Sequence, residues 1–338
     1  MARARRAYLL VANPTAQSGR NAGRIEEARA ALKRRRAACD FLATEPGGRT
    51  VGAVAEAVDG GGYRCVISMG GDGTFREVAA GLLESERRDQ VALGMLPTGT
   101  ANDQGKSFGL AAGDLERNLE VILAGKQTRL DAGRIRALDD RGEPRAQAAF
   151  FDSAGWGISA RVLARRNVDR RRVEDDAVLR EVYRDQLVYA GALVKTFLES
   201  YVVSDKFTAR IEVDGTPVEL TRLTDLVVKN TRIYAGAWIL DRASRHDDGL
   251  FEVVPFRGRR DWISKALSEH ELSPLGADLL GMLGVEHSRP FRAARLSLRF
   301  EVPDGGEPLA AQIDGEEFVA TPRAEVEVLP RALRLIVP

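Results

Sequence analysis

The first 130 residues alternate short apolar runs with amphipathic segments, and this alternation constrains the fold more than any other feature of the chain. The apolar runs have the length of strands, and the segments between them carry the period of a helix. Parallel strands need long crossover connections, which helices usually supply. We therefore predict an α/β fold with a parallel sheet for this part. The predicted strands are Tyr8–Ala12, Asp40–Ala43, Arg64–Met69 and Val91–Leu96, and the predicted helices are Ile25–Ala37, Val51–Val58 and Phe75–Leu83.

After about Asp131 the pattern changes to short segments that alternate apolar and polar residues, most strictly over Arg295–Val302. Asp214-Gly215 between two such segments is typical of a hairpin turn. The pattern indicates an antiparallel β-sandwich-like or barrel-like second domain. We place the domains at residues 1–131 and 132–338, with a cleft between them, and leave open whether the final strand returns to the first domain. The predicted strands here are Thr208–Val213, Leu223–Val228, Leu250–Val254, Ala294–Val302, Ala324–Val328 and Leu333–Val337.

Composition excludes several classes of protein. Fifty basic residues against 49 acidic residues give a net charge of +1, so no overall field favours nucleic acid as a partner. Two cysteines, Cys39 and Cys65, support neither a disulfide framework nor a zinc site, and indicate reduced thiols in a cytosolic protein. Because no stretch reaches the roughly 18 apolar residues of a membrane span, we expect a cytoplasmic protein that meets membranes from the cytosolic side.

The segment Ser68–Phe75, Ser-Met-Gly-Gly-Asp-Gly-Thr-Phe, lies between a predicted strand and a predicted helix. Gly70, Gly71 and Gly73 would let the backbone approach a ligand closely and adopt positive φ. The following helix directs free N–H groups and its positive dipole end at the same point, which favours phosphate. Asp72 would repel phosphates unless it binds Mg²⁺ or accepts a proton from an attacking hydroxyl. The loop lacks the Gly-Lys-Ser/Thr ending of a P-loop.

Two further polar turns follow predicted strands. Pro97–Asp103 reads Pro-Thr-Gly-Thr-Ala-Asn-Asp, and Asn13-Pro14 follows the first strand. Loops at the carboxyl ends of parallel strands lie along one edge of the sheet, where ligands bind. The three turns are therefore predicted to face one nucleotide, although Asn102-Asp103 alone is also typical of a helix N-cap.

These motifs together resemble the diacylglycerol kinase catalytic domain family, which includes bacterial lipid kinases and sphingosine kinases. The resemblance implies an N-terminal nucleotide-binding α/β domain, a C-terminal β-sandwich-like domain, ATP in the cleft and transfer of the γ-phosphoryl group to a lipid hydroxyl. It runs in family order over nearly the whole chain. The matching stretches are Asn13-Pro14, Gly70–Thr74, Pro97–Asp103, Gly155–Ala160, Ala243–Leu250 and Asp314-Gly315-Glu316.

Site residues also follow from the resemblance. It implies that Asp72 binds Mg²⁺–ATP or acts as the general base, that Glu316 is the proton acceptor, and that Asp247 or Asp248 holds a structural Mg²⁺. Which of Asp72 and Glu316 is the base stays open at this point. Gln104 departs from the family, which commonly has an apolar or aromatic residue there. The implied ATP contacts are Asn13, Gly70, Gly71, Gly73, Thr74, Gly99, Thr100, Asn102 and Asp103.

The resemblance further implies a lipid substrate at a membrane surface, peripheral membrane contact and a role in phospholipid biosynthesis. The arginine cluster Arg165–Arg172 has no family counterpart; it could dock on anionic lipid, but a solvated helix face is favoured. Whether the protein forms a homodimer is left open. Two other functions are also left open: a catalytically inactive nucleotide- or lipid-binding regulator, and an NAD kinase. Candidates for the lipid slot, each more typical of core, are Phe150, Phe151, Trp156, Trp238, Trp262 and Leu275–Leu283.

Overall fold

The computed structural model describes residues 8–161, 163–164, 206–234, 238–241, 243–258, 261, 288–303 and 309–338. The arginine cluster Arg165–Arg172 and two of the candidates for the lipid slot, Trp262 and Leu275–Leu283, lie outside the described residues. In the part of the chain that the structure describes, no helix is long and apolar enough to cross a membrane.

The N-terminal part is a parallel sheet covered by helices on both faces. Strands β1 to β4 pair in the order β2-β1-β3-β4 and are all parallel. Apolar side chains of α1 and α5 pack on one face, and those of α2 and α3 pack on the other. The predicted α/β fold is thus confirmed. The elements are β1 (Tyr8–Ala12), α1 (Arg20–Arg34), β2 (Cys39–Ala43), α2 (Arg49–Gly61), β3 (Cys65–Gly70), α3 (Asp72–Glu84), β4 (Ala92–Pro97), α4 (Asp103–Ser107) and α5 (Leu115–Ala124).

The C-terminal part is a sandwich of two antiparallel layers. One layer is a six-stranded sheet in the order β14-β13-β10-β7-β16-β17, and the other extends the first sheet through β18, β15, β8, β9, β5 and β6. This confirms the predicted β-sandwich-like domain. The strands are β5 (Gln127–Leu138), β6 (Pro144–Phe150), β7 (Ser153–Gly157), β8 (Phe207–Val213), β9 (Thr216–Leu223), β10 (Asp225–Lys229), β11 (Ile233–Tyr234), β12 (Trp238–Ile239), β13 (Phe251–Phe256), β14 (Phe291–Ala293), β15 (Arg295–Glu301), β16 (Ala311–Ile313), β17 (Glu316–Phe318) and β18 (Arg323–Ile336).

Three of the candidates for the lipid slot are buried in hydrophobic cores. Phe150 and Trp156 are 0% and 1% exposed between the two layers, where Phe150 stacks on Phe251 and Trp156 packs on Phe300. Phe151 is 0% exposed and packs against the edge of the Phe75 ring in the neighbouring core. These aromatic rings stabilise the packed layers and offer no surface to a lipid.

Strand β18 joins the two parts of the molecule. Its first half pairs antiparallel with β15, and Arg334 and Leu335 near its end pair parallel with β4. The sequence predicted two strands here, whereas the structure has one strand with a bulge between Leu329 and Leu333. The buried Asp131 carboxylate holds this bulge, because it accepts a hydrogen bond from the Arg331 amide at 2.6 Å. The first sheet is therefore continuous through both parts.

Candidate active site

The glycine loop is shaped by close backbone approach, since Gly70, Gly71 and Gly73 all lie outside the region of positive φ. The expectation of positive φ at these glycines was therefore wrong. A Cβ on Gly70 would lie 2.4 Å from the Thr74 hydroxyl oxygen, and a Cβ on Gly99 would lie 2.3 Å from the Gly71 Cα. Gly71 and Gly99 are needed because the loops after β3 and β4 pack backbone against backbone, and Gly70 leaves room for the Thr74 side chain.

Hydrogen bonds fix the loop after β4 onto the glycine loop. The Gly70 carbonyl accepts from the amides of Thr98 at 2.9 Å and Gly99 at 3.2 Å. Asn102, with φ of 52°, accepts from the Gly99 amide at 2.9 Å and donates to the Gly99 carbonyl at 2.7 Å. Both ends of the Asn102 amide are thus used within the loop. These bonds shape the loop, and the ATP contact of Asn102 stays a prediction. Asn102 stands at the N-cap position of α4, but its side chain makes no capping hydrogen bond there.

Asn13 also shapes its own turn, at the same edge of the sheet. Its side-chain oxygen accepts from the Thr15 amide at 2.9 Å and from the Thr15 hydroxyl at 2.8 Å. Its carbonyl accepts from the Asn21 side chain at 2.7 Å, which ties the turn to α1. The Arg24 guanidinium of α1 reaches the Thr98 carbonyl at 3.4 Å, a link that no sequence motif predicted. The loops after β1, β3 and β4 therefore form one continuous rim.

Asp72 begins α3, and its side chain is mostly buried beside the start of α4. Its Oδ1 accepts from the Gln104 amide at 3.2 Å. Burial and the nearby Asp152 carboxylate raise the pKa of Asp72, although the amides of Gln104 and Asp103 and the Lys229 ammonium oppose this rise. A divalent cation bound at Asp72 would favour its ionised form and so oppose this rise.

The residues present fit a Mg²⁺ ion at Asp72 that shares its shell with a nucleotide. Among the described residues, no three His, Cys, Asp or Glu side chains are grouped to hold a metal. Mg²⁺ in phosphoryl-transfer sites needs only one or two carboxylates, because phosphate oxygens and water complete the octahedron. The first-turn amides of α3 lack intrahelical acceptors by geometry and would bind phosphate oxygens.

The Asp-Gly-Glu motif forms the turn of the β16–β17 hairpin. Asp314 and Gly315 both have positive φ, 47° and 79°, as a type I′ turn requires. The Asp314 carboxylate accepts from the amides of residues 151, 152 and 153 at 2.8, 2.7 and 2.9 Å. Burial and the Asp152 carboxylate raise the pKa of Asp314 to about 7 against the effect of these donors. Asp314 therefore anchors the hairpin.

Glu316 is exposed on this hairpin and lies at the glycine loop. Its Oε1 is 3.9 Å from the position that a Cβ on Gly73 would occupy. The fold thus brings Glu316, from near the C-terminus, to the first turn of α3 that Asp72 begins. Of the two carboxylates predicted for catalysis, Glu316 is open to an incoming hydroxyl, whereas Asp72 is held by the amides of α4.

A buried ion pair lies beside these residues, and sequence reasoning missed it. Lys229 is 1% exposed, and its Nζ donates to Asp152 Oδ1 at 2.6 Å and to the Ile233 carbonyl at 2.8 Å. The hydroxyls of Thr231 and Ser153 also donate to the Asp152 carboxylate. The sequence signal was weak: a lysine at the end of the buried strand β10, where a solvated charge is the ordinary interpretation.

The two aspartates predicted to hold a structural Mg²⁺ already have guanidinium partners. Arg245 lies 2.9 Å from Asp247 Oδ1, and the Thr128 hydroxyl donates to Asp247 Oδ2 at 3.3 Å. Asp248 accepts from the Leu250 amide at 3.2 Å, and its Oδ2 lies 3.7 Å from Arg292. These donors, and the lack of a third grouped carboxylate in the described part of the chain, fit a metal at Asp247 or Asp248 poorly.

Known proteins are similar to this chain in sequence and in fold. Residues 7–135 match the model of the diacylglycerol kinase catalytic domain. This stretch is therefore similar to that family, and we refer to it as the kinase domain. It contains both glycine-bearing loops and all five helices described above.

Curated relatives carry lipid kinase names. A probable lipid kinase YegS-like from Pseudomonas aeruginosa is 27% identical over 329 residues, which is 95% of this chain and 92% of the relative. A probable lipid kinase YegS from Escherichia coli is 35% identical over 101 residues, about 30% of each chain. The first of these alignments extends beyond the kinase domain into the sandwich.

Solved structures share the fold. A putative diacylglycerol kinase from Bacillus anthracis superposes with a TM-score of 0.70 at 20% identity, over 99% of both chains. Yeast NADH kinase in complex with NADH superposes with a TM-score of 0.51 at 10% identity, over 99% of this chain and 84% of that structure. The arrangement of kinase domain and sandwich is therefore common to both kinds of enzyme.

Proposed function

We propose that this protein is an ATP-dependent lipid kinase that transfers the γ-phosphoryl group of Mg²⁺–ATP to the hydroxyl of a lipid such as diacylglycerol or a sphingoid base. The observation that carries the proposal is that Glu316 lies beside the glycine loop. Its exposed carboxylate is therefore next to the N-terminus of α3, which begins at Asp72 and is suited to bind an anion. A phosphoryl donor and a hydroxyl acceptor need these two features side by side.

In this mechanism the rim formed by the loops after β1, β3 and β4 holds the nucleotide. The first-turn amides of α3 bind the phosphates, and Gly71 and Gly99 let the two loops approach each other without side chains between them. Asp72 would hold a Mg²⁺ ion, which would offset the negative charge of the nucleotide's phosphates. The Asp72 carboxylate is oriented for this by the Gln104 amide.

Glu316 is the general base for the acceptor. The lipid hydroxyl oxygen forms a bond to the γ-phosphorus as its proton passes to a Glu316 carboxylate oxygen. The bond from the γ-phosphorus to the bridging oxygen breaks, and ADP leaves with that electron pair. A positioned base contributes about 10²- to 10⁴-fold. Because the acceptor resides in a bilayer, the protein works as a cytoplasmic enzyme at the membrane surface.

The test is transfer of label from γ-labelled ATP with Mg²⁺ to mixed micelles that contain diacylglycerol, a sphingoid base or phosphatidylglycerol. We expect label in an organic-extractable product, and chromatography of that product identifies the acceptor. Asp72→Asn should abolish transfer while lowering the free energy of unfolding by less than about 1 kcal/mol, because the amide oxygen can still accept from Gln104 and a charged group is removed from a buried site. Full activity of that variant would remove Asp72 from the mechanism.

A parallel reaction with NAD tests the alternative that the shared fold of yeast NADH kinase raises. Label on NAD instead of lipid would make the protein an NAD kinase. Binding of ATP without transfer to any acceptor would make it a regulator that has lost catalysis. We favour the lipid because the alignment with a probable lipid kinase spans 95% of the chain.

A further inference from the structure

An arginine-lined cavity of about 340 Å³ lies away from the glycine loops, where the kinase domain meets the sandwich. Arg129 and Arg334 are close to Asp89, which precedes β4, whereas the nucleotide rim follows the carboxyl ends of the strands. The cavity is therefore near the opposite edge of the sheet from the proposed active site. Its lining residues are Gln127, Thr128, Arg129, Asp247, Arg331 and Arg334.

Two of these arginines face each other in an unfavourable arrangement. Arg129 of β5 and Arg334 of β18 are directly opposite in an antiparallel pair, where like charges destabilise a sheet. Compensation is slight: Asp89 lies 3.6 Å from Arg129, and Arg334 donates to the Asp89 carbonyl and to the Gln127 side chain. The guanidinium groups of Arg129 and Arg334 therefore still have N–H groups that could bind an anion.

Arg331 adds a third positive charge from a strained position. Its φ is 54°, in the left-handed region that costs energy for a residue with a side chain. The amide bond to the buried Asp131 carboxylate fixes this conformation at the bulge of β18. Among the described residues, the exposed Arg331 guanidinium has no hydrogen-bond or ion-pair acceptor. Strain held by a buried anchor is a feature of functional positions.

The carboxylate in the cavity does not neutralise these charges. Asp247 accepts from Arg245 and from Thr128, so its charge is already paired. Three cavity arginines and Arg245 oppose three acidic residues, Asp247, Asp89 and the buried Asp131, which leaves about one positive charge uncompensated. Planar guanidinium groups bind phosphate oxygens in a bidentate manner, and a phosphomonoester carries nearly two negative charges at about pH 7.

We propose that this cavity binds a phosphate group in its dianionic form, with Arg331, Arg334 and Arg129 as its donors. Its volume is within the range of small-molecule sites, so it accommodates a phosphate with a short substituent. The group can belong to a soluble phosphate compound or to the headgroup of a lipid phosphomonoester. The site is separate from the proposed phosphoryl-transfer site, and its existence does not depend on the kinase function.

The test is calorimetric titration of the full chain with inorganic phosphate. A saturating non-hydrolysable ATP analogue and Mg²⁺ are present, so that the glycine loops are already occupied. We expect one phosphate per chain. Arg331→Gln and Arg334→Gln should each weaken binding by about tenfold. The matched control is Arg299→Gln, which removes an exposed arginine of β15 outside the cavity and should bind as the unmodified protein does.

A second arm distinguishes the sources of the phosphate. Vesicles of phosphatidylcholine with and without phosphatidic acid are offered to the same variants, and melting temperatures verify that each variant is folded. Binding of phosphatidic acid vesicles that Arg331→Gln weakens and Arg299→Gln does not supports a lipid headgroup. Binding of free phosphate alone supports a soluble ligand. No phosphate binding by the unmodified protein, or equal binding by all variants, overturns the proposal.

Discussion

Replacement of Lys229 by methionine tests the buried ion pair that lies beside Asp72. The Lys229 ammonium is 1% exposed and 2.6 Å from Asp152, which is itself only 6% exposed. The replacement keeps most of the side-chain volume but leaves a buried carboxylate without its counterion. Removal of one partner of such a pair costs about 3–5 kcal/mol. Two hydroxyl donors stay with Asp152, so we expect a loss of about 3 kcal/mol in the free energy of unfolding.

A double-mutant cycle separates the charge from the packing. Asp152→Asn combined with Lys229→Met removes both charges of the pair, and the Ile233 carbonyl loses a donor at a cost of about 1 kcal/mol. We therefore expect the double variant to regain about 2 kcal/mol relative to Lys229→Met. Urea unfolding followed by circular dichroism and tryptophan fluorescence measures each corner of the cycle.

Lys206→Met is the matched control, since its ammonium donates to the Arg257 carbonyl in an exposed environment. It should change stability by less than about 0.5 kcal/mol. Leaving a buried charge without its partner should cost much more than about 1 kcal/mol. If the free energy of unfolding of Lys229→Met is within about 1 kcal/mol of that of the unmodified protein, the pair is solvated and the reasoning is wrong. If the double variant is as unstable as Lys229→Met, the loss comes from packing of the lysine stem instead of charge.

Three further outcomes are expected from the site. Gly99→Ala should destabilise the protein by about 1–3 kcal/mol and weaken ATP binding, because its Cβ would lie 2.3 Å from the Gly71 Cα; calorimetry and unfolding measure both, and unchanged ATP affinity would contradict it. Glu316→Gln should lower kcat by about 10²- to 10⁴-fold with the Kd of ATP unchanged; a large loss of ATP affinity would make Glu316 a nucleotide ligand. The pKa of Asp314 is raised to about 7, so its contribution to stability is present below about pH 4 and is lost as the pH rises to about 7. The free energy of unfolding in urea should therefore fall between about pH 5 and 7, and Asp314→Asn should remove this fall. An unaltered pH dependence in the variant would refute the assignment.

Local pattern was sufficient for β1 to β4 and for α1 to α3 of the kinase domain, whereas α4 and α5 were not predicted. The strands β1 and β3 and the helices between them follow from runs of apolar residues with fixed periods, and these signals are complete within each segment. Strand β5 had no such signal, because its Arg134 and Arg136 interrupt the apolar pattern. Their charges are offset by Glu327 and Glu325 of β18, distant in sequence but adjacent in the sheet.

The candidate site was predicted in its motifs but not in the use of each side chain. The glycine loop and Asp72 were found because their residue types carry a chemical meaning on their own, whereas Glu316 followed only from the resemblance to the diacylglycerol kinase family. The sequence did not show that the Asn102 amide bonds to Gly99 within its own loop. The hydrogen-bond partner of a polar side chain depends on the folded backbone around it, which cannot be read from a short motif.

The two layer types of this protein, its first four strands and its glycine loop could be read from the residues, because periodicity and glycine spacing are local properties. Folding in three dimensions was needed to bring Glu316 to Gly73, to pair Lys229 with Asp152, and to make three arginines converge where β5 and β18 cross between the two parts. Each of these contacts joins residues far apart in the chain. Their proximity follows from strand pairing and burial over the whole molecule, which no single segment encodes.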